Sequence, residues 1–261
     1  MTGIHAAAAA GFASEAATYG RGRPDYPAEL LPWLERDLGI GPGKTVVDLG
    51  AGTGKFTRML ARTTAAVIAV EPIAQMRARL AADQPAVQAL EGSAQAIPLA
   101  AGSVDAVVCA QAFHWFANEA ALREIRRVLR PDGALGLVWN VRDESVDWVA
   151  ELTRIITPFE GDAPRFYKGD WRKPFATGSG TGGLFDALRM TSFDYQHVGP
   201  PQEVVIDRFL SVSFIAALPA AQKAGVEERL RRLVAEHPQL RGREVVAFPY
   251  RTEAYCCRAA G

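Results

Sequence analysis

Residues 46–56 read VVDLGAGTGKF, an apolar β-branched run that reaches Asp48 and then passes Gly50, Gly52 and Gly54 before a helix-like segment begins. Glycine allows tight turns and lets a backbone touch a ligand with no Cβ in the way. The N-terminus of a following helix favours a negative group. Three kinds of nucleotide site use such a loop. A phosphate-binding P-loop needs Gly, four residues, then Gly-Lys-Ser/Thr; here Gly54-Lys55 is followed by Phe56, and the position of the first glycine is Leu49. The dinucleotide fingerprint, Gly-x-Gly-x-x-Gly, is missed by one residue. What remains is D-x-G-x-G-x-G. Glu71 ends the next strand-like run, 21 residues after Gly50. That is the distance at which a nucleotide-binding crossover places an acid for ribose hydroxyls. A helix-start acid favoured by the dipole is the structural alternative for Glu71.

A second chemical cluster lies at 110–116, AQAFHWF, where a fourth strand-like run ends. Open α/β sheets collect ligands at the carboxyl ends of their strands. An imidazole with its ordinary pKa of about 6.5 suits a general base at neutral pH. His114 is therefore either that base or a hydrogen-bonding element of a pocket wall. Trp115 and Phe116 offer ring faces to a cation, with core packing the alternative for Phe116.

The elements that must position these groups follow a βαβ rhythm. Strands are expected at 45–50, 66–71, 86–93, 103–111 and 134–141, and helices at 28–39, 54–63, 72–82 and 118–130, with Pro72 at a first helical position. The turn PDG (131–133) separates the last of these helices from the fifth strand. The strands are apolar on both faces, which means a parallel sheet covered on both sides. The pattern loosens after residue 142. Residues 142–190 read as loops and short helices, including a glycine-rich GSGTGG at 178–183. Helices are expected at 205–218 and 225–238, and two closing strands within 244–258, around Pro249.

Acids and bases balance at 29 each, so no global field draws the chain to nucleic acid or anionic membrane. The bases are mostly arginine, and alanine is abundant; a GC-rich bacterial genome is the expected source. The three cysteines, Cys109, Cys256 and Cys257, have no metal-ligand spacing, and a reducing cytoplasm is expected. No apolar stretch is long enough for a membrane span, and residues 1–12 read as a disordered tail rather than a secretory signal.

By these residues the chain resembles the small-molecule class I S-adenosylmethionine-dependent methyltransferases of the type-11 group, which includes trans-aconitate and quinone-ring methyltransferases. The resemblance is carried by YGRGRPDYP (19–27), VVDLGAGTGKFTRML, AVEP (69–72), GSAQAIPLAAGSVDAVVCAQAFHWF (92–116) and REIRRVLRPDGALGLVWN (123–140). It implies a Rossmann-like α/β fold: a seven-stranded, mostly parallel sheet with an antiparallel last strand, in a single domain over 13–261. A helical and loop cap within 142–240 would enclose the substrate. It implies S-adenosylmethionine as cofactor and S-adenosylhomocysteine as product.

The expected cofactor set is Tyr19 and Arg23 from an N-terminal arm, Asp48, Gly50, Gly52, Gly54, Glu71, Pro72, Met76 on the adenine face, Ser93, Ala94 as a backbone donor, and Gln111. Ser93 departs from the acid usual near the adenine amine. The expected substrate set is His114, Trp115, Trp139, Asn140 and Trp171, with His114 the expected catalytic residue. Strand four does not end in the Asn/Asp-Pro-Pro-Tyr of nucleic-acid and protein-glutamine methyltransferases. A small, largely apolar metabolite is therefore the expected partner, in natural-product biosynthesis, for a monomer or homodimer with no nucleic acid and no membrane. Two other functions fit the same motifs: a non-methylating cyclisation or rearrangement around the bound cofactor, and a non-catalytic cofactor-binding regulator.

Overall fold

The structure is a computed structural model that describes residues 22–176 and 183–260. The expected contact residue Tyr19, the tail 1–12 and all of GSGTGG but Gly183 lie outside the described residues.

The sheet grows from short, buried, β-branched runs. Strands β1 (Thr45–Leu49), β2 (Ala66–Val70), β3 (Gln88–Leu90), β4 (Val104–Ala110), β5 (Leu129–Arg142), β6 (Arg189–Gly199) and β7 (Val246–Arg258) lie in the order β3-β2-β1-β4-β5-β7-β6. The pairs β1–β2, β2–β3, β1–β4 and β4–β5 are parallel, and the closing strands are antiparallel. Helix α1 (Leu30–Leu38) precedes β1, and α2 (Lys55–Ala61), α3 (Ala74–Asp83) and α4 (Glu119–Val128) connect β1 to β2, β2 to β3 and β4 to β5. Asn118 caps α4 by accepting the Ala121 N–H at 2.9 Å. The chain leaves β1 toward β2 and returns after β3 to lay β4 on the other side of β1. The carboxyl ends of β1 and β4 therefore flank the point where strand order reverses, the usual ligand crevice of such sheets.

The chain divides into two compact units. One holds 26–139, 164–193 and 252–260. Its core joins Leu30, Trp33 and Leu34 of α1 to Val46, Val108 and Val138 of the sheet. The other holds 22–25, 140–163 and 194–251. Its core gathers Trp148, Val149 and Leu152 from α5 (Asp147–Ile156), Val226, Leu230 and Leu233 from α6 (Ala220–Glu236), and Phe209 and Phe248. The stretch 142–240 is thus shared between the units, with residues 164–193 in the first.

Several boundaries differ from expectation. Pro72 is not the first helical residue: α3 begins at Ala74, because Ile73 is extended, with φ −83° and ψ 112°, while its N–H donates to the Glu71 carboxylate at 2.9 Å. The PDG segment lies within β5 as an irregularity, with Asp132 at a φ of 61° and a register shift against Val104 and Ala106. The region after 142 holds a regular helix, α5, and the start of β6. The closing segment is one strand, β7, rather than two. Pro249 loses only its N–H; its carbonyl still accepts the Asp143 N–H at 3.1 Å. The expected helix 205–218 is broken into a π-helical turn at Gln202–Asp207, a helical turn at Arg208–Leu210, and a second at Ser213–Ala216.

Candidate active site

The glycine loop joins β1 to α2 with all three glycines in the left-handed region, at φ of 73°, 58° and 82° for Gly50, Gly52 and Gly54. Their reasons differ. A Cβ on Gly50 would stand 2.8 Å from the Ala112 Cβ, and one on Gly54 would stand 2.3 Å from Gln84 Nε2 and 2.8 Å from Leu80 Cγ. Packing of the protein against itself therefore explains those two. Among the described residues, a Cβ on Gly52 would meet only the Met76 sulfur, at 3.8 Å. Its surroundings leave room for something other than this unit's own core.

Glu71 is the organiser of the loop. It is buried, and its two carboxylate oxygens accept the N–H groups of Gly52 (2.8 Å) and Ile73 (2.9 Å). Arg77 donates to the Glu71 carbonyl at 2.8 Å and to the Glu91 carboxylate at 2.7 Å, fixing the start of α3 behind it. Burial is the largest influence on the Glu71 carboxyl and raises its pKa; the two backbone donors and Arg77 pull the other way. Each oxygen keeps a lone pair beyond its backbone bond, so the group can also accept from a ligand hydroxyl.

Asp48, at the end of β1, is 1% exposed. One oxygen accepts the Thr57 hydroxyl at 2.6 Å, tying β1 to α2, while Oδ1 is buried with no hydrogen-bond partner among the described residues. Burial pushes its carboxyl up to about 7, with the Thr57 bond opposing and the Glu71 charge adding. An orphaned buried carboxylate oxygen and an open glycine, both beside the Glu71 carboxylate, fit a nucleoside carrying a cationic end. That is the chemistry of S-adenosylmethionine.

Met76 is buried on α3 beside Gly52. Pro72 is half-buried in the turn that follows Glu71. Ser93 and Ala94 sit in a turn closed by mutual backbone bonds between Ser93 and Ala96, with Ala94 buried. Gly92, which the sequence reading passed over, makes that turn possible: a Cβ there would lie 2.6 Å from Pro98 Cδ. At the end of β4, Gln111 holds a φ of 56° while its N–H donates to the Val138 carbonyl at 2.8 Å. A left-handed glutamine costs roughly 1–2 kcal/mol, and such strain collects where backbone direction matters for function.

His114 and Trp115 follow in a half-buried 3₁₀ turn, Phe113–Trp115. The Trp139 indole N–H donates to His114 Nδ1 at 3.1 Å. A neutral imidazole held that way carries its own proton on Nε2. It presents a donor there. Trp139 and Trp171 are each 1% exposed, with centroids 4.6 Å apart in a cluster with Phe166 and Tyr255. Arg172 stacks over the Trp171 ring at 4.2 Å and donates to the Tyr255 hydroxyl at 2.8 Å.

Two expected site residues belong to the other unit. Arg23 donates to the Ser211 carbonyl at 2.8 Å, and Asn140 donates through Nδ2 to the Asp25 carbonyl at 2.8 Å. Both amide and guanidinium thus hold the described end of the N-terminal arm.

Residues 47–137 match the family described as "Methyltransferase domain". An uncharacterized methyltransferase of Mycobacterium tuberculosis is 40% identical over 248 residues, 95% of this chain and 94% of its own. An uncharacterized methyltransferase-like protein of Schizosaccharomyces pombe is 38% identical over 245 residues, covering 94% and 93%. In fold, the chain is similar to the YcgJ protein from Bacillus subtilis, with a TM-score of 0.55 at 17% identity over 90% of this chain and 100% of that one. The fold and loop define a class I S-adenosylmethionine-dependent methyltransferase. The chain belongs to the methyltransferase family, whose members here come from a fission yeast as well as a bacterium, so membership does not fix a bacterial source. Among the described residues no helix is long and apolar enough to cross a membrane.

Proposed function

We propose that the protein transfers a methyl group from S-adenosylmethionine to a small, largely apolar metabolite in a reducing, cytoplasmic setting. Gly52 carries the cofactor part of the reading: its conformation and open surroundings, with its N–H on Glu71, suit close approach of a nucleoside. The sulfonium supplies an already activated methyl group when the cofactor is bound. The protein is left to orient, exclude water and place protons. Glu71 accepts ribose hydroxyls while holding the loop, and Met76 packs on the adenine face. Ala94 offers its N–H to the ring. Asp48 keeps a buried acceptor behind the loop. His114 serves as an orienting donor through Nε2, with Trp139 as the positioning residue that sets its tautomer.

An acceptor of small size is supported by the balanced charge of the chain, which supplies no field for a polyanion. The test is production of S-adenosylhomocysteine from S-adenosylmethionine with a cell extract split by ultrafiltration. The small-molecule fraction should sustain turnover and the macromolecular fraction should not. Turnover confined to the macromolecular fraction would overturn the reading.

A further inference from the structure

The unit built from 140–163 and 194–251 holds an arginine in its apolar interior. Arg208 is 8% exposed, between buried Val205 and Ile206 on one side and Phe209 and Leu210 on the other. A guanidinium stays charged at any physiological pH. Burying one costs several kcal/mol unless an anion and hydrogen bonds compensate. Arg208 has little of either. Its Nε donates to the Tyr250 hydroxyl at 3.0 Å, and its carbon lies 6.0 Å from the centre of the Phe209 ring. NH1 is buried with no partner. Among the described residues no carboxylate pairs with it. The adjacent Asp207 instead accepts from Gln202 Nε2 at 2.7 Å. The other guanidinium over the Phe209 ring, that of Arg142 at 5.2 Å, has its own carboxylate in Glu144 at 3.9 Å.

The backbone that presents Arg208 is itself unusual. Its N–H closes the π-helical turn Gln202–Asp207 by donating to the Glu203 carbonyl. Turns of this kind are rare, cost stability relative to α-helix, and recur at functional sites. On the other side, the Gly22 backbone approaches so closely that a Cβ would lie 2.6 Å from the Arg208 nitrogen. A costly cation, held by a costly turn and left short of an anion, is a receptor pattern rather than a packing one.

We propose that Arg208, with the Tyr250 hydroxyl beside it, recognises the carboxylate of a small molecule. A carboxylate matches the fork of a guanidinium, and Tyr250 can donate its own proton to one oxygen.

The test uses the whole protein and paired probes: hexanoate against hexanamide and succinate against succinamide, by calorimetry and thermal shift, in wild type, Arg208→Met and Arg208→Lys. In wild type the acids should bind and raise Tm while the amides do not. Arg208→Met should weaken acid binding about thirtyfold or more, the usual loss when one member of a buried charge pair is removed. Arg208→Lys keeps the charge and the fold but not the fork, and should lose about tenfold. Equal binding of acid and amide, or acid binding unchanged in a folded Arg208 variant, would overturn the proposal. The same proteins titrated with S-adenosylhomocysteine and with 5′-methylthioadenosine, which has no carboxylate, separate the sources. Unchanged affinity for both across the variants supports a separate carboxylic acid. Loss confined to S-adenosylhomocysteine would mean that the anion is that compound's own, and would overturn the assignment to a separate acid. Should wild type bind the acids but neither adenosine compound, the methyl-transfer reading fails while the carboxylate site stands.

Discussion

Glu71→Gln is nearly isosteric, yet it removes the one arrangement that makes the loop work. The carboxylate satisfies two backbone donors, Gly52 N–H at 2.8 Å and Ile73 N–H at 2.9 Å. A glutamine has one oxygen, so whichever donor meets the amide nitrogen is left facing another donor. Losing a charged acceptor for a buried N–H costs about 1.5–3 kcal/mol. Much of that should not appear as lost stability, because burial is already the largest influence on Glu71 and a neutral amide escapes it. It should appear in cofactor affinity, since the bound state needs Gly52 fixed and also loses the ribose acceptor. We expect the Kd for S-adenosylhomocysteine to rise roughly 30- to 150-fold, equivalent to about 2–3 kcal/mol, with Tm changed by only a few degrees. Calorimetry reads the first and a thermal melt the second. Repeating the titration with the 2′-deoxy analogue should shrink the penalty, because the hydroxyl that Glu71 would receive is then missing. A folded Glu71→Gln protein whose Kd lies within twofold of wild type would refute the assigned role.

The glycines should separate by mechanism. Gly54→Ala forces a Cβ against Leu80 and Gln84 and should cost about 2–4 kcal/mol of stability. Gly52→Ala meets only Met76 among the described residues and should cost about 1–2 kcal/mol, all conformational, while cofactor affinity falls more than tenfold; the reverse order in urea melts and calorimetry would sink the ligand-facing assignment. Asp48 gives a pH dependence. Its folded pKa, pushed up to about 7 from 3.8, means the folded protein binds a proton that the unfolded chain has already released. The stability it contributes is present at acid pH and is lost as pH rises from about 4 through 7. Tm of wild type minus Tm of Asp48→Asn should therefore fall between pH 5 and 8.5, and parallel curves would contradict it. For His114, ¹⁵N spectra of the ring should show the proton on Nε2 in wild type, with that preference lost in Trp139→Phe; a proton on Nδ1 in wild type would remove Trp139 from its positioning role.

The glycine loop and the acid that braces it were legible because their signals are local. A strand, three glycines and a helix start sit within eleven residues, and Glu71 follows at one crossover's distance. The Trp139–His114 bond spans 25 residues and depends on register: Ala110 pairs with Val138, which brings the ends of β4 and β5 together. Counting along two parallel strands could have found it. The β6 signal was also present, as the alternation of Phe193, Tyr195 and His197 with exposed Ser192, Asp194 and Gln196, but these half-buried rings make no apolar run. Pro249 suggested a break that β7 does not have, since a strand needs to give up only one donor to hold a proline. Arg208 had no legible signal. Within VIDRFLSV an arginine reads as the polar face of an amphipathic helix, whereas Arg208 follows the π turn and is buried.

The central claim is methyl transfer, and trideuteromethyl-labelled S-adenosylmethionine tests it directly. Incubated with the protein and a small-molecule extract, the label should move intact into one product, with one S-adenosylhomocysteine formed for each labelled molecule. A metabolite that changes structure without gaining the label, while the cofactor is recovered whole, would contradict the account and point to a rearrangement carried out around a bound but unreacted cofactor.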